Sequence, residues 1–161
     1  MRILHDDGTG GLAIVIPAPQ YLASLQAANP QATEAQLMEY IANKDVPNGT
    51  AFEVVEDADI PTDRTFRNAW KHDTSPAPEK VSADMTKAAV IAHEIRRAKR
   101  DEAFKPHDMV VAVQVPGQGA AQTAAEAARA TIRTADAAHQ VAIDAATTEA
   151  ELKAAIDAIA H

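Results

Sequence analysis

The residues able to do chemistry are few, and their spacing suits no familiar reaction. His93-Glu94 opens the pattern of a helical zinc hydrolase, in which two histidines four residues apart hold the metal and a glutamate between them activates water. Position 97 is Arg, so the second ligand is missing. The histidines at 5, 72, 107, 139 and 161 show no ligand spacing and read as surface or partly packed side chains. Cysteine is absent, which removes thiolate nucleophiles, disulfides and sulfur-based zinc sites and leaves the redox compartment open. The serines are Ser24, Ser75 and Ser82, and none sits in a Gly-x-Ser-x-Gly elbow. Gly8-Thr-Gly-Gly11 lacks the Lys-Ser/Thr of a phosphate loop and suits a hairpin turn better. Glu53, Glu56, Asp57 and Asp59 could in principle pair as acid and base; solvated turn carboxylates are the simpler reading. The expectation is therefore no enzyme, no cofactor and no metal.

What remains is recognition chemistry. The segment Asp57 to Trp70 places the chain's one Trp beside Arg64, Arg67 and Phe66, one of three Phe. Pro61 blocks a helix arriving from upstream, Thr62 or Asp63 can cap orphan amides, and Phe66 and Trp70 at i and i+4 would share one face of a short helical turn. That aromatic pair either covers a small core or meets a partner, since Trp and Arg are enriched at interface hot spots. One arrangement serves both readings, with Trp70 covering the sheet and Arg64 and Arg67 facing outward. A second cluster, Arg96, Arg97 and Arg100, is either an anion- or partner-binding patch or a plain helix end that complements the negative C-terminal dipole. The candidate partner-binding residues are thus Arg64, Phe66, Arg67, Trp70, Arg96, Arg97 and Arg100. A formal net charge of −8 argues against nucleic acid as the partner. No apolar run approaches the roughly 20 residues of a membrane helix, and the start MRILHDDGTGG has no signal-peptide pattern, so cytosolic synthesis is expected.

The elements that must position these residues divide the chain in two. Residues 2 to 16 read as two short strands around the turn Asp6 to Gly11, ended by Pro17 and Pro19. Thr33 and Gln36 form a capping-box spacing before the stripe Leu37, Tyr40, Ile41, which predicts a helix over about 34 to 43. Ala51 to Val55 alternates as a third strand. The fold class expected is α+β, a small antiparallel three-stranded sheet with a helix over 1–72, then a linker over 73–83, then Ala-rich helices over 84–161. Met85, Ala88, Ile91, Ala92 and Ile95 recur at helical spacing as far as Phe104, with Pro106 expected to stop the helix. Val110 to Gly119 could be a strand or an extended crossing. A helix over about 121 to 138 would have an apolar face of little beyond Ala128, Ile132 and Ala135. Thr148 and Glu151 cap a terminal helix carrying Leu152, Ile156 and Ile159. From position 120 onward 18 of 42 residues are Ala, and alanine buries so little area that these helices should need partners.

Asp59 to Trp70, with Lys44 to Gly49, Asp84 to Ala88, Ile91 to Asp101, Phe104 to Asp108 and Ala145 to Lys153, resembles small proteins encoded in the tail-fibre region of tailed bacteriophages, similar to tail assembly chaperone-like sequences. The resemblance covers nearly the whole chain and is most specific over Asp63 to Trp70; the Ala-rich stretch from Arg129 to Ala142 departs from it. It implies a virion-associated or assembly role near the phage tail or its fibres, and the low-aromatic, Ala-rich helical tail favours a non-enzymatic structural protein of the tail or tail fibre. Its partners would be other tail or fibre proteins and copies of itself, and its place the virion after synthesis in the host cytoplasm. The alternative it implies is an assembly chaperone absent from the mature particle. It supplies no catalytic site.

Overall fold

The computed structural model describes residues 1–73, 80–113 and 119–159. The chain is α+β and divides into two compact units, Met1–Asp84 and Met85–His161.

In the first unit β1 (Arg2–Asp6) is the centre of a three-stranded antiparallel sheet, flanked by β2 (Leu12–Val15) and β3 (Phe52–Val55). Asp7 shapes the turn between β1 and β2. Its Oδ1 accepts hydrogen bonds from Thr9 N at 2.7 Å, Thr9 Oγ1 at 2.8 Å and Gly11 N at 2.9 Å, while Gly8 and Gly10 take the positive φ values such a tight loop needs. The alternation of side chains then sends Ile3, Val15 and Val54 to one face and Leu4, Leu12, Ile14 and Val55 to the other. The Ile3 face packs on α1 (Pro19–Ala28) and α2 (Glu34–Asp45) through Tyr21, Leu22, Leu25, Met38 and Ile41. The Leu4 face packs on Trp70 and Val81 of a second antiparallel pair, β4 (Trp70–His72) with β5 (Val81–Ala83). Both faces of a very small sheet are therefore covered.

The capping box at Thr33 and Gln36 is present at the start of α2. Helix α1 was not expected. Pro19 stands at its first turn, where a missing N–H costs nothing, rather than merely ending β2. The segment 81–83, assigned to the linker on its composition, is strand: Val81 is buried and Ala83 pairs with Trp70, and Asp73 N donates to the Lys80 carbonyl at 3.0 Å just beyond the two strands. The helical turn expected around Phe66 shrinks to a single 3-10 turn, Arg67–Ala69. Asp63 caps no helix and instead accepts from Thr65 N at 2.8 Å and Thr65 Oγ1 at 2.6 Å, while the ladder to β5 captures Trp70 and ends the turn.

The second unit packs α3 (Met85–Ala112), α4 (Gly119–Ala145) and α5 (Glu149–Asp157) against one another. Pairs across α3 and α4 run in opposite numerical sense, 93 with 144, 96 with 136 and 108 with 129, so the two helices are antiparallel. Helix α5 starts on the capping box of Thr148 and Glu151 and buries Leu152 and Ile156, with Ile159 buried just past its end. Pro106 does not stop α3, which continues to Ala112 and excludes a strand over 110–112; the crossing expected over 114–118 lies outside the described residues. Contacts to α4 on both sides of the proline hold the axis. Phe104 lies 5.8 Å from Arg129 and 5.9 Å from Arg133, and Asp108 pairs with Arg129 at 3.1 Å. A proline in a helix interior costs on the order of 3 kcal/mol. Pro106→Ala is therefore expected to raise the melting temperature of the helical unit by calorimetry; an unchanged or lower value would contradict this account.

Candidate functional site

The first unit splits its candidate residues between core and surface. Phe66 is 1% exposed and Trp70 3%, so both aromatics are withdrawn from any docking surface. Trp70 packs with Leu4, Val55 and Val81. Arg64 and Arg67 are exposed. Arg64 lines a cleft of 250 Å³ with Arg2, Asp57, Ile60, Pro61 and Thr62, where Arg2 is paired to Asp57 at 2.9 Å. Arg67 lines another, of 330 Å³, with Asp7, Gly11, Leu12, Asn68 and Trp70. The indole Nε1 of Trp70 is buried without a hydrogen-bond partner among the described residues. Such an orphan donor costs about 1–3 kcal/mol. Asp7 and Asn68 belong to this cleft and were not among the residues singled out by sequence.

Glu53 holds the β4–β5 pair to the sheet. Its carboxylate takes Lys80 Nζ at 2.6 Å and faces His72 Nε2 at 3.3 Å. The Lys80 ammonium holds the Glu53 carboxyl below its ordinary value of 4.5 against the opposing effect of partial burial, and His72 adds to the lowering. A depressed folded-state pKa stabilises the fold above the unfolded value, and that contribution is lost as pH falls through the folded one. The first unit, followed by Trp70 fluorescence, should thus lose stability as the pH falls below about 4.5, and Glu53→Gln should flatten the acid limb. An identical limb in the variant would contradict the assignment.

In the second unit the arginine cluster is dismantled by its partners. Arg96 is buried and its Nη1 lies 2.5 Å from Asp136 Oδ2, with the Asp136 carbonyl at 3.5 Å. Arg100 reaches the same carboxylate at 3.4 Å and Asp101 at 3.1 Å. Of the three candidates Arg97 alone is exposed. Arg96 and Arg100 therefore join α3 to α4 instead of forming an anion patch. Asp136 is the residue that sequence reading missed, and its signal was a lone carboxylate on the stripe of Ile132, Ala135 and Ile143. Lys99 likewise turns to the end of α5, donating to the carbonyls of Ile156 at 2.8 Å and Ile159 at 3.4 Å. Removing one member of a buried pair leaves the other charge uncompensated and costs about 3–5 kcal/mol. Asp136→Leu should lower stability by about that much in urea unfolding, and Arg96→Met added to it should recover most of the loss. Equal stability of Asp136→Leu and the parent chain would contradict a pair of this kind.

The outward side of α4 is of a different character. Ala120, Ala124, Ala127, Thr131, Thr134, Ala138, Val141 and Ala145 recur at alternating intervals of four and three residues, and every one is exposed. Val141 is 67% exposed. The positions flanking this seam are Ala or Thr except for Asp144. The hydroxyls of Thr131 and Thr134 donate back to the carbonyls of Ala127 and Ala130 at 3.1 Å, so they ask nothing of a partner. This seam lies away from the Ala125, Ile132, Asp136 and Ile143 face that α4 buries within its own unit. Heptad spacing of this kind suits a neighbouring helix, and small side chains permit close approach.

Among the described residues no cluster of His, Cys, Asp or Glu could hold a metal ion, and no helix is long and apolar enough to cross a membrane. Comparison with family models, curated proteins and solved structures returns no match to this chain.

Proposed function

We propose that the chain is a non-enzymatic structural protein of the bacteriophage tail or tail-fibre region, present in several copies that pack through α4. The tail context rests on the resemblance carried by Asp59 to Trp70 and the accompanying segments. The docking role is supported by one observation above the others, the uncharged heptad seam left exposed over the length of α4. Apolar surface of this length is costly to leave in water. A partner that follows the seam from Ala120 to Ala145 must itself be a helix with matching small residues, and α4 of a second copy is such a helix. Arg64 and Arg67 in the first unit remain available to a different tail protein. Stable inclusion in a particle fits this geometry better than transient holding, because closely packed small residues dissociate only when the whole seam opens.

Quantitative mass spectrometry of purified particles tests the reading. The expected result is stoichiometric presence of the wild-type chain and loss of an Ala138→Glu chain whose thermal stability is unchanged. Absence of the wild-type chain from mature particles would overturn the structural role in favour of an assembly chaperone. Full incorporation of Ala138→Glu would overturn packing through α4.

A further inference from the structure

The sheet of the first unit has two edges, β2 and β3, and they differ in chemistry. In an antiparallel ladder, residues whose N–H and C=O groups bond across the pair alternate with residues whose groups point the other way. Asp7 N donates to the Gly11 carbonyl at 3.0 Å, and the register that joins His5 to Ala13 and Ile3 to Val15 continues that bonded set. Leu12 and Ile14, with Ile16 next in the alternation, therefore turn their backbone groups away from β1. Among the described residues these outward groups have no hydrogen-bond partner. Pro17 falls at an inward position, so its missing N–H leaves the edge intact. On β3 the outward residues are Phe52 and Val54, and that edge stops at Glu56, whose N–H donates to Asp59 Oδ2 at 2.9 Å. Unpaired edges are ordinarily defended by a charge, a proline or a bulge. β3 carries Glu53, whereas β2 runs in unbroken register and no charged residue occurs from Gly8 to Thr33.

We propose that β2 pairs with β2 of a second copy, antiparallel about a two-fold axis at Ile14, joining the two three-stranded sheets into one. In this register Ile14 lies opposite Ile14 of the second copy and Leu12 opposite its Ile16, each pair exchanging two backbone hydrogen bonds. The two-fold axis keeps Leu12, Ile14 and Ile16 on a common face. Ile16, 61% exposed, then covers Leu12, which is half-buried at the edge. Charge selects a second copy over a foreign strand. The chain carries a net −8, yet this edge meets its own image with no like charges opposed, and it offers no charge by which a different partner would be chosen. The same pairing through β3 would bring Glu53 of both copies together. This contact goes beyond packing through α4, since it uses the other unit and backbone groups rather than a seam of small side chains.

The test uses the full chain carrying Ala138→Glu, so that association through α4 does not contribute and the two contacts fail separately. Amide hydrogen exchange is followed at Leu12, Ile14 and Ile16 from micromolar to millimolar concentration, beside sedimentation equilibrium of the same samples. Protection at these positions is expected to rise with the dimer fraction, while Phe52 and Val54 on the other edge exchange fast throughout. Ile16→Glu sets a carboxylate near the Asp6–Asp7 end of the second copy's β1. It should weaken the dimer about tenfold or more and leave the melting temperature of the first unit unchanged. Tyr40→Glu, an equal charge at an exposed position on α2, should dimerise as the parent does. Fast exchange at every concentration would leave the edge to a foreign strand, and protection independent of concentration would assign it a cover from the same chain. Dimerisation of Ile16→Glu at parental strength would exclude this register. Each of these results overturns the proposal.

Discussion

The helical unit depends on a shortage of apolar volume. Its interior is built from Ala88, Ala92, Ala125 and Ala155 with a few larger residues, Ile132, Ile143, Leu152, Ile156 and Ile159. Alanine brings helix axes close together but removes little area from water for each residue buried. A buried Arg96–Asp136 pair therefore sits where a larger core would have placed leucines, and it joins α3 to α4 at a defined point. Such pairs add little net stability against apolar replacements but impose a large penalty when half broken. The same shortage leaves the outer seam of α4 exposed among the described residues of its own unit.

The first unit meets the opposite constraint. A three-stranded sheet with short strands cannot stand alone, and here each face has its own cover. Two helices close one side, and the β4–β5 pair closes the other with Trp70 at its centre. The only large ring system in the chain is thus spent on covering Leu4 and Val55. The polar residues around it that stay exposed are Arg64 and Arg67, whose neighbours on the 3-10 turn are held by the strand that follows.

Much of this was legible in the sequence where local rules and packing agree. The capping boxes at Thr33 and Thr148 begin real helices, and the alternation of Leu12 to Val15 and Phe52 to Val55 forms real strands. Reading failed where a distant partner outweighed a local signal. Pro106 lies within a helix because α4 grips the chain on both sides of it. Trp70 is strand because β5, eleven residues further on at Val81, supplies a ladder that no i, i+4 rule anticipates. Helix α1 escaped notice because Pro17 and Pro19 look like terminators, although Tyr21, Leu22 and Leu25 already mark one apolar side. For the candidate docking residues, exposure was not legible in the sequence. Arg96 and Arg97 are neighbours in sequence, yet only the first finds Asp136, and no spacing rule joins positions 40 residues apart.

Exposed charge and exposed small apolar surface therefore divide the two units by chemistry. The first exposes Arg64 and Arg67; the second exposes a long uncharged seam. A structural protein that touches one neighbour through polar contacts and its own copies through helices would use both. Sedimentation equilibrium of the isolated wild-type chain from micromolar to millimolar concentration tests the central claim most directly. Association that rises with concentration is the predicted result. A monomer across the whole range, with α4 fully helical by circular dichroism, would contradict it.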